Sequence, residues 1–320
     1  MRVIVAGGAG FIGAHLCRAL LRAGHEVWCV DNLSTGRYAN IAELEGVAGF
    51  HFVAHDVLQP LALSAEAVFH LASPASPRGY LCRPVETLRV NSEGTYQLLE
   101  LARAQGARFL LASTSEVYGD PQEHPQREDY WGYVNPVGLR ACYDEGKRYA
   151  EALTMAYVRH HGLDARIVRI FNTYGPYSDP GDGRLVPSFI TQALRGEPIT
   201  VYGTGEQTRS LCYVSDLVEG LLRAMFGEAA RGEVINLGNP EEHPVRLYAE
   251  RIRALCGSRS PIVHVAAALG DDPQRRRPDI SKAMRLLDWR PRVGLDEGLM
   301  QTIAYFRQEL ARAGSVIQRG

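Results

Sequence analysis

Short apolar runs alternate with amphipathic stretches through the first half of the chain. The runs RVIVAGG, EVWCVDN, FHFVAHD, AVFHLAS, RFLLAST and ARIVRIFN are nearly continuous in Val, Ile, Leu and Phe. A strand buried on both faces reads this way, because neither side of its pleat meets water. Between the runs lie AHLCRALLRAG, GTYQLLELARAQG and EGKRYAEALTMAYVRHHG, with apolar positions at helical spacing. Strands alternating with helices call for crossovers, and right-handed crossovers cover both faces of a parallel sheet. The pattern predicts a doubly wound α/β domain.

After Asn172 the texture changes. TYGPYSDPGDG is rich in Gly, Pro and Asp, and a helical pattern, a hairpin-like ITVYGTG, another helical pattern and EVINLGN follow it. Residues from about 240 to 310 carry two or three helices around a short strand, PIVHV. The expected organisation is a first domain over 1–171, rejoined by about 208–238, and a smaller C-terminal α/β substrate domain over 172–207 and 239–312. A chain of 320 residues has ample length for either one large core or two smaller ones.

Composition narrows the function classes. A formal net charge of −1 argues against nucleic acid or an anionic membrane held by bulk electrostatics. Six scattered cysteines without a CxxC pair, and histidines without an HExxH motif, predict reduced thiols and no metal. Met1 leads directly into RVIVAGG, too short for a secretory core or a membrane span, so the expected location is the cytoplasm. Of 35 basic residues, only Lys147 and Lys282 are Lys. A Lys kept in such a chain points to chemistry that a planar guanidinium cannot supply.

The first strand runs straight into GGAGFIG, where Gly7, Gly10 and Gly13 have GxxGxxG spacing ahead of a helix. Glycines there permit a tight turn and close backbone approach, and the helix N-terminus faces the pyrophosphate of a dinucleotide. The second strand ends in Asp31, 18 residues after Gly13, where a carboxylate accepts hydrogen bonds from a ribose diol. It would repel a 2′-phosphate, which favours NAD over NADP, although Arg37 stands nearby. Asp56, ending the third strand, fits either the adenine edge or an ordinary strand-end turn. The sheet is thus expected to be of Rossmann type.

CYDEGK puts Tyr143 and Lys147 one turn apart on one helix face. A phenol with a pKa near 10 is a poor base, and a neighbouring ammonium together with a positive nicotinamide would lower it. Tyr143 would then take an alcohol proton as hydride leaves, and return it later. Upstream, STSEVYG closes the fifth strand with Ser113, Thr114, Ser115 and Glu116, where an open α/β sheet holds its ligand. A hydroxyl there can bond the reacting oxygen, and Glu116 offers a second proton-transfer group.

With these residues in view the chain resembles the extended short-chain dehydrogenase/reductases. More narrowly, HLASPASP, STSEVYGDPQEHPQ, YWGYVNPVGLRACYDEGKR, RIFNTYGP, QALRGEPITVYG, QTRSLCYVSDLVEGL, NLGNPEEH and DDPQRRRPDI resemble the UDP-glucuronate decarboxylases, the UDP-xylose synthases. The likeness runs from Met1 to about Leu310. Hexose dehydratases carry Asp-Glu where this chain has Ser115-Glu116, and 4-epimerases usually lack the Glu.

The resemblance implies that NAD oxidises the C4 hydroxyl of UDP-glucuronate with Tyr143 as base. The 4-ketone lies β to the carboxylate, CO2 departs, and return of a proton to C5 and of hydride to C4 gives UDP-xylose with NAD still bound. It implies catalytic roles for Thr114, Ser115, Glu116, Tyr143, Lys147 and Arg276. Beside the cofactor it adds Phe11, Ile12, Asn32, Ser34, Thr35, Gly36, Val57, Leu71, Ser73, Thr173 and Arg184 to the glycines, Asp31 and Asp56. Beside the substrate it implies Pro74, Arg89, Asn172, Tyr202, Gln207, Arg209 and Arg276. In DDPQRRRPD, Arg276 is expected to face the sugar near its carboxylate or C4 oxygen, while Arg275 and Arg277 are solvated or paired with Asp271, Asp272 and Asp279. The chain departs from many relatives at Ala62, where they have Tyr, and at Arg89, where they have Lys. The resemblance also implies a homodimer through the helix bearing Tyr143 and the GTYQLLELARAQG helix. The alternatives are release of the UDP-4-keto-pentose, a 4-epimerase or dehydratase acting on a related nucleotide sugar, or an inactive NAD-binding regulator.

Overall fold

The computed structural model describes residues 1–266 and 275–317, the side chains of 313–317 excepted. Strands and helices are numbered along the chain. One sheet contains β1 (Arg2–Ala6), β2 (Glu26–Asp31), β3 (Phe50–Ala54), β4 (Ala67–His70), β5 (Arg108–Thr114), β6 (Ala165–Ile170) and β11 (Val234–Leu237). These seven strands lie in the order β11-β6-β5-β4-β1-β2-β3, every neighbouring pair parallel. The apolar runs become strands because both faces are covered. Val3 and Val5 of β1 join the core under α1 (Phe11–Arg22) and α7 (Val214–Phe226). Ile4 and Ala6, one step out of phase, join the core under α4 (Thr95–Gln105) and α5 (Ala141–His161). The strand order reverses between β1 and β4, so the carboxyl ends of the strands part there and open a crevice.

A smaller lobe closes that crevice from the other side. It holds α6 (Leu185–Arg195), α8 (Val245–Cys256) and α10 (Leu295–Ile317), while α9 (Ser281–Leu287) packs on α7 and on β11 of the large sheet. Three two-stranded pieces complete it: β7 (Thr173–Tyr174) with β10 (Cys212–Tyr213), β9 (Thr208–Ser210) with β12 (Glu242–Pro244), and β8 (Ile199–Tyr202) with β13 (Ile262–Val265). The ITVYGTG run is not a hairpin. Its strand β8 pairs in parallel with the distant β13, because Gly203 and Gly205, both at positive φ, turn the chain away. One buried cluster continues from Val3 of β1 to Phe306 of α10, so the lobes share a core. Two short helices, α2 (Pro77–Cys82) and α3 (Pro84–Arg89), lie along the rim after β4.

Candidate active site

The crevice is a cavity of about 1110 Å³ running from the turn after β1 to strands β8 and β9. At one end the backbone itself is the surface. Gly7 has φ +82°, and a Cβ there would come within 2.6 Å of the Ala72 nitrogen and 2.7 Å of the Leu71 carbonyl carbon. A Cβ on Gly13 would lie 2.7 Å from the Gly8 Cα. Gly10 opens α1 with no side-chain cap, and no acidic residue stands in the first turn. The free N–H groups and positive end of that helix therefore face the cavity, an arrangement that fits a pyrophosphate. Phe11, Ile12, Ser34, Thr35, Gly36, Leu71 and Ser73 border the same end.

Asp31 organises this turn from beneath. Its Oδ2 accepts from the Ala9 amide at 3.0 Å and its Oδ1 from the Leu33 amide at 2.8 Å. Burial pushes its carboxyl above the usual range, against the pull of those two amides. Gly36 lies so close that a Cβ would sit 2.8 Å from both carboxylate oxygens. The dinucleotide fits these residues, since the close packing that glycine allows at Gly7 and Gly13 brings the turn and the uncapped start of α1 bare of side chains to the cavity.

The centre is polar and nearly closed to water. Thr114 ends β5 and accepts from the Glu116 amide at 3.2 Å, which starts a tight turn over Ser115–Tyr118. Tyr143 and Lys147 project from the first turns of α5, and both are buried. The Tyr143 ring stacks on Tyr80, centroids 5.2 Å apart and planes at 7°. The Lys147 ammonium donates to the Ala112 carbonyl at 2.9 Å and lies 5.9 Å from the Tyr143 ring centroid. Burial pushes the phenol up to about 12, beyond what the Thr114 hydroxyl pulls down. Burial also pulls Lys147 down to about 7, against the attraction of Glu151. In the protein without cofactor the phenol thus stands above its ordinary value, and the lowering expected from the ammonium together with a positive nicotinamide is not seen. Inside the protein desolvation dominates both groups, and a further positive charge is needed to lower Tyr143.

Glu116 is the hub of this centre. It receives both terminal nitrogens of Arg276, one of them at 2.9 Å, and Arg140 on its other side. Burial raises its carboxyl, but the Arg276 and Arg140 guanidinium groups outweigh that and hold it at about 2. Arg276 borders the cavity as expected, with its guanidinium on Glu116 and its carbonyl accepting from the Ser210 hydroxyl at 3.1 Å. Arg275 is exposed, and the Arg277 amide donates to Gln126 at 2.8 Å. Asp279 accepts from the Ser281 amide at 2.8 Å, while Asp271 and Asp272 lie outside the described residues.

At the far end Asn172, Thr173, Arg184, Tyr202, Gln207 and Arg209 all border the cavity. The Gln207 amide donates to the Tyr202 carbonyl at 2.8 Å, and Arg209 to the Thr208 carbonyl at 2.8 Å. Tyr202 stays half exposed, as an open aromatic face would be. Over the cavity α2 forms a strap, because Arg83 donates to the Ser34 carbonyl at 2.6 Å and Arg78 to the Gly181 carbonyl at 2.9 Å.

Some expected residues lie off the cavity. Asp56 does not border the cavity, and its oxygens accept from the Leu58 amide at 3.0 Å and from Asn32 at 3.1 Å. Val57 is buried core, and Pro74 and the exposed Ala62 do not border the cavity. Arg89, expected beside the substrate, does not border the cavity. Its guanidinium is half exposed and pairs with Glu93 at 2.8 Å, one helical turn on. Three residues at the centre escaped the sequence: Tyr80, Arg140 and Asp144. Only Arg140 carried a signal, standing one turn before Tyr143 on the same helix face.

Residues 3–238 match the profile of the NAD dependent epimerase/dehydratase family. UDP-glucuronic acid decarboxylase 1 of Xenopus tropicalis is 53% identical over 309 residues, 97% of this chain and 73% of that protein. UDP-glucuronic acid decarboxylase 6 of Arabidopsis thaliana is 50% identical, covering 97% and 90%. The UDP-glucuronic acid 4-epimerase of Bacillus cereus, solved with UDP-glucuronic acid and NAD, superposes with a TM-score of 0.87 at 29% identity over 97% of this chain and all of that one.

Proposed function

The chain belongs to the NAD dependent epimerase/dehydratase family and, within it, to the UDP-glucuronic acid decarboxylases, and we infer that it converts UDP-glucuronate to UDP-xylose and CO2. Its cofactor is NAD, which when bound supplies the acceptor and later the donor of the C4 hydride. One observation carries the reading to this substrate. At the end of β5 two guanidinium groups, Arg140 and Arg276, converge on a single carboxylate, Glu116, beside Tyr143. Arg276 borders the cavity there, and a guanidinium beside the reacting sugar suits one bearing a carboxylate at C5.

The geometry supports the following roles. Tyr143 takes the C4 hydroxyl proton, with the Thr114 hydroxyl in hydrogen-bonding reach of the phenol. Lys147, anchored on the Ala112 carbonyl, holds the cofactor side of the pair. A carbonyl at C4 lies β to the carboxylate, which is what lets CO2 leave. Glu116 moves the proton at C5, and Arg276 turns from Glu116 towards the sugar as substrate enters. Ser115, Tyr80 and Arg140 bound the same pocket. Asn172, Tyr202, Gln207 and Arg209 bind the uridine diphosphate, and Ser73, Thr173 and Arg184 border the cofactor.

We further propose a division into a nucleotide-binding part (1–171 with about 208–238) and a sugar-binding part (172–207 and 239–312). We also propose a cytoplasmic homodimer through α4 and α5, supported by the outward-facing Tyr96 and Tyr149. Among the described residues no helix is long and apolar enough to cross a membrane. Mass spectrometry of the pure protein incubated with UDP-glucuronate tests the reaction. A UDP-pentose with one CO2 lost is expected, and its mass separates UDP-xylose from the 4-keto compound. Unchanged substrate mass would overturn the reading.

A further inference from the structure

Gln126 is a fully buried polar residue that the steps above leave unused. It lies on the loop that leaves the Ser115–Tyr118 turn, the same turn that presents Glu116. Its main chain runs beside the segment that carries Arg276. The Gln126 amide donates to the Arg277 carbonyl at 2.9 Å, and the Gln126 carbonyl accepts from the Asp279 amide at 2.8 Å. The side chain completes the clasp. Its Oε1 accepts from the Arg277 amide at 2.8 Å, and its Nε2 donates to the Glu123 carbonyl at 2.7 Å. Oxygen and nitrogen are both committed, which fixes the way the side-chain amide points.

Two further buried groups hold the same stretch. Asn236 of β11 donates to the Gln126 carbonyl at 3.1 Å and to the Asp279 carbonyl at 3.2 Å, and its Oδ1 accepts from the Tyr118 hydroxyl at 2.8 Å. From the smaller lobe, the Ser210 hydroxyl of β9 donates to the Arg276 carbonyl at 3.1 Å. Arg276 and Arg277 lie in neither helix nor strand, so no ladder of their own sets their position. The Arg276 guanidinium, meanwhile, rests on Glu116.

An apolar residue of similar size could fill the space at 126, but it would leave the buried Arg277 amide without its acceptor. What the amide side chain adds is placement. We infer that Gln126, together with Ser210, is a positioning residue for Arg276, holding the main chain at 276–277 fixed so that only the guanidinium moves between Glu116 and the sugar. A contact that works in one geometry needs its root held to within about 0.5 Å, and a long side chain on a loose segment does not meet that. This inference rests on the proposed sugar contact of Arg276.

The test is a double-mutant cycle of Gln126→Leu with Arg276→Ala, read by CO2 release from UDP-glucuronate. Gln126→Leu should lower kcat/KM about tenfold, as a misplaced contact does, while the NAD extracted from pure protein stays unchanged. In the Arg276→Ala background it should cost no more than about twofold further, because no guanidinium is left to aim. A merely structural role would cost the same in both backgrounds, and losses that multiply in full would overturn the inference. Ser210→Ala removes one hydroxyl and should lower kcat/KM about threefold, with the same dependence on Arg276. It stands in if the Leu variant does not fold. Hydrogen exchange over residues 275–281 gives a readout apart from the reaction, and it should quicken in Gln126→Leu. Unchanged exchange would sink the clasp even in an active decarboxylase. If exchange quickens but Arg276→Ala costs nothing, the proposed sugar contact fails and the hold on the segment stands.

Discussion

The two ends of the cavity are built from different material. Around Gly7, Gly10 and Gly13 the wall is main chain, held by Asp31 through two backbone amides and by contacts too close for any Cβ. Around Glu116 the wall is made of side chains that meet from opposite lobes, and the Arg276 pairing joins residues 160 positions apart. A site made of backbone is rigid and local, so spacing in the sequence nearly determines it. One made of long charged side chains exists only once the fold brings its segments together, and its electrostatics depend on burial. On the proposed reading the first half takes the diphosphate of the cofactor, and the second tells a carboxylate-bearing sugar from a neutral one.

The widest separation between the halves comes from Arg276→Ala. It should lower kcat/KM roughly tenfold to a hundredfold, the worth of one charge-assisted contact, while the NAD extracted from pure protein stays unchanged. Glu116 keeps Arg140 in this variant, so the centre does not lose its only partner. Acid stability gives a second readout. The Glu116 carboxyl is depressed in the folded state, so its contribution is present above the ordinary carboxyl pKa and is lost as pH falls towards about 2. Without Arg276 that loss should begin at higher pH in a thermal scan. Turnover left intact would remove Arg276 from the sugar half.

Gly13→Ala probes the backbone half. The added Cβ would press on the Gly8 Cα at 2.7 Å, and neither backbone segment is a flexible side-chain end. Overpacking of this kind costs about 1–3 kcal/mol, so the melting temperature should drop and the purified protein should carry less NAD. Any decarboxylation that remains should recover on adding NAD. A variant that keeps full NAD occupancy would show that the turn yields, and the contrast between a rigid and an assembled half would weaken.

How much of this was legible in the chain follows from the same contrast. The strand runs were readable because burial on both faces leaves an uninterrupted apolar signature, as in the fully buried AVFH of β4. The glycine spacing and Asp31 were readable because the turn that needs them is local. The parallel pairing of β8 with β13 was not, since ITVYGTG carries a turn signal and its true partner arrives much later in the chain. Nor were Tyr80 and Asp144, whose positions follow from how α2 and α5 pack. The direction of the Tyr143 and Lys147 shifts was hidden for another reason. A sequence lists neighbouring charges but not the depth of burial, and here burial is the larger cause for both.

Arg89 carries the smallest expected effect and separates the two kinds of reasoning most directly. By likeness to relatives it belongs beside the sugar, where a positive charge would be felt in KM. In the folded chain its guanidinium is half exposed and pairs with Glu93 one turn along, and it does not border the cavity. An exposed pair at this spacing is screened by water and contributes little. Arg89→Ala should therefore change KM for UDP-glucuronate by less than about twofold and leave kcat alone. Restoring Lys at this position should be equally silent. If KM instead rises as steeply as in Arg276→Ala, α3 must swing its Arg89 inward when substrate binds. The sugar half would then be assembled from one segment more than the resting fold brings together.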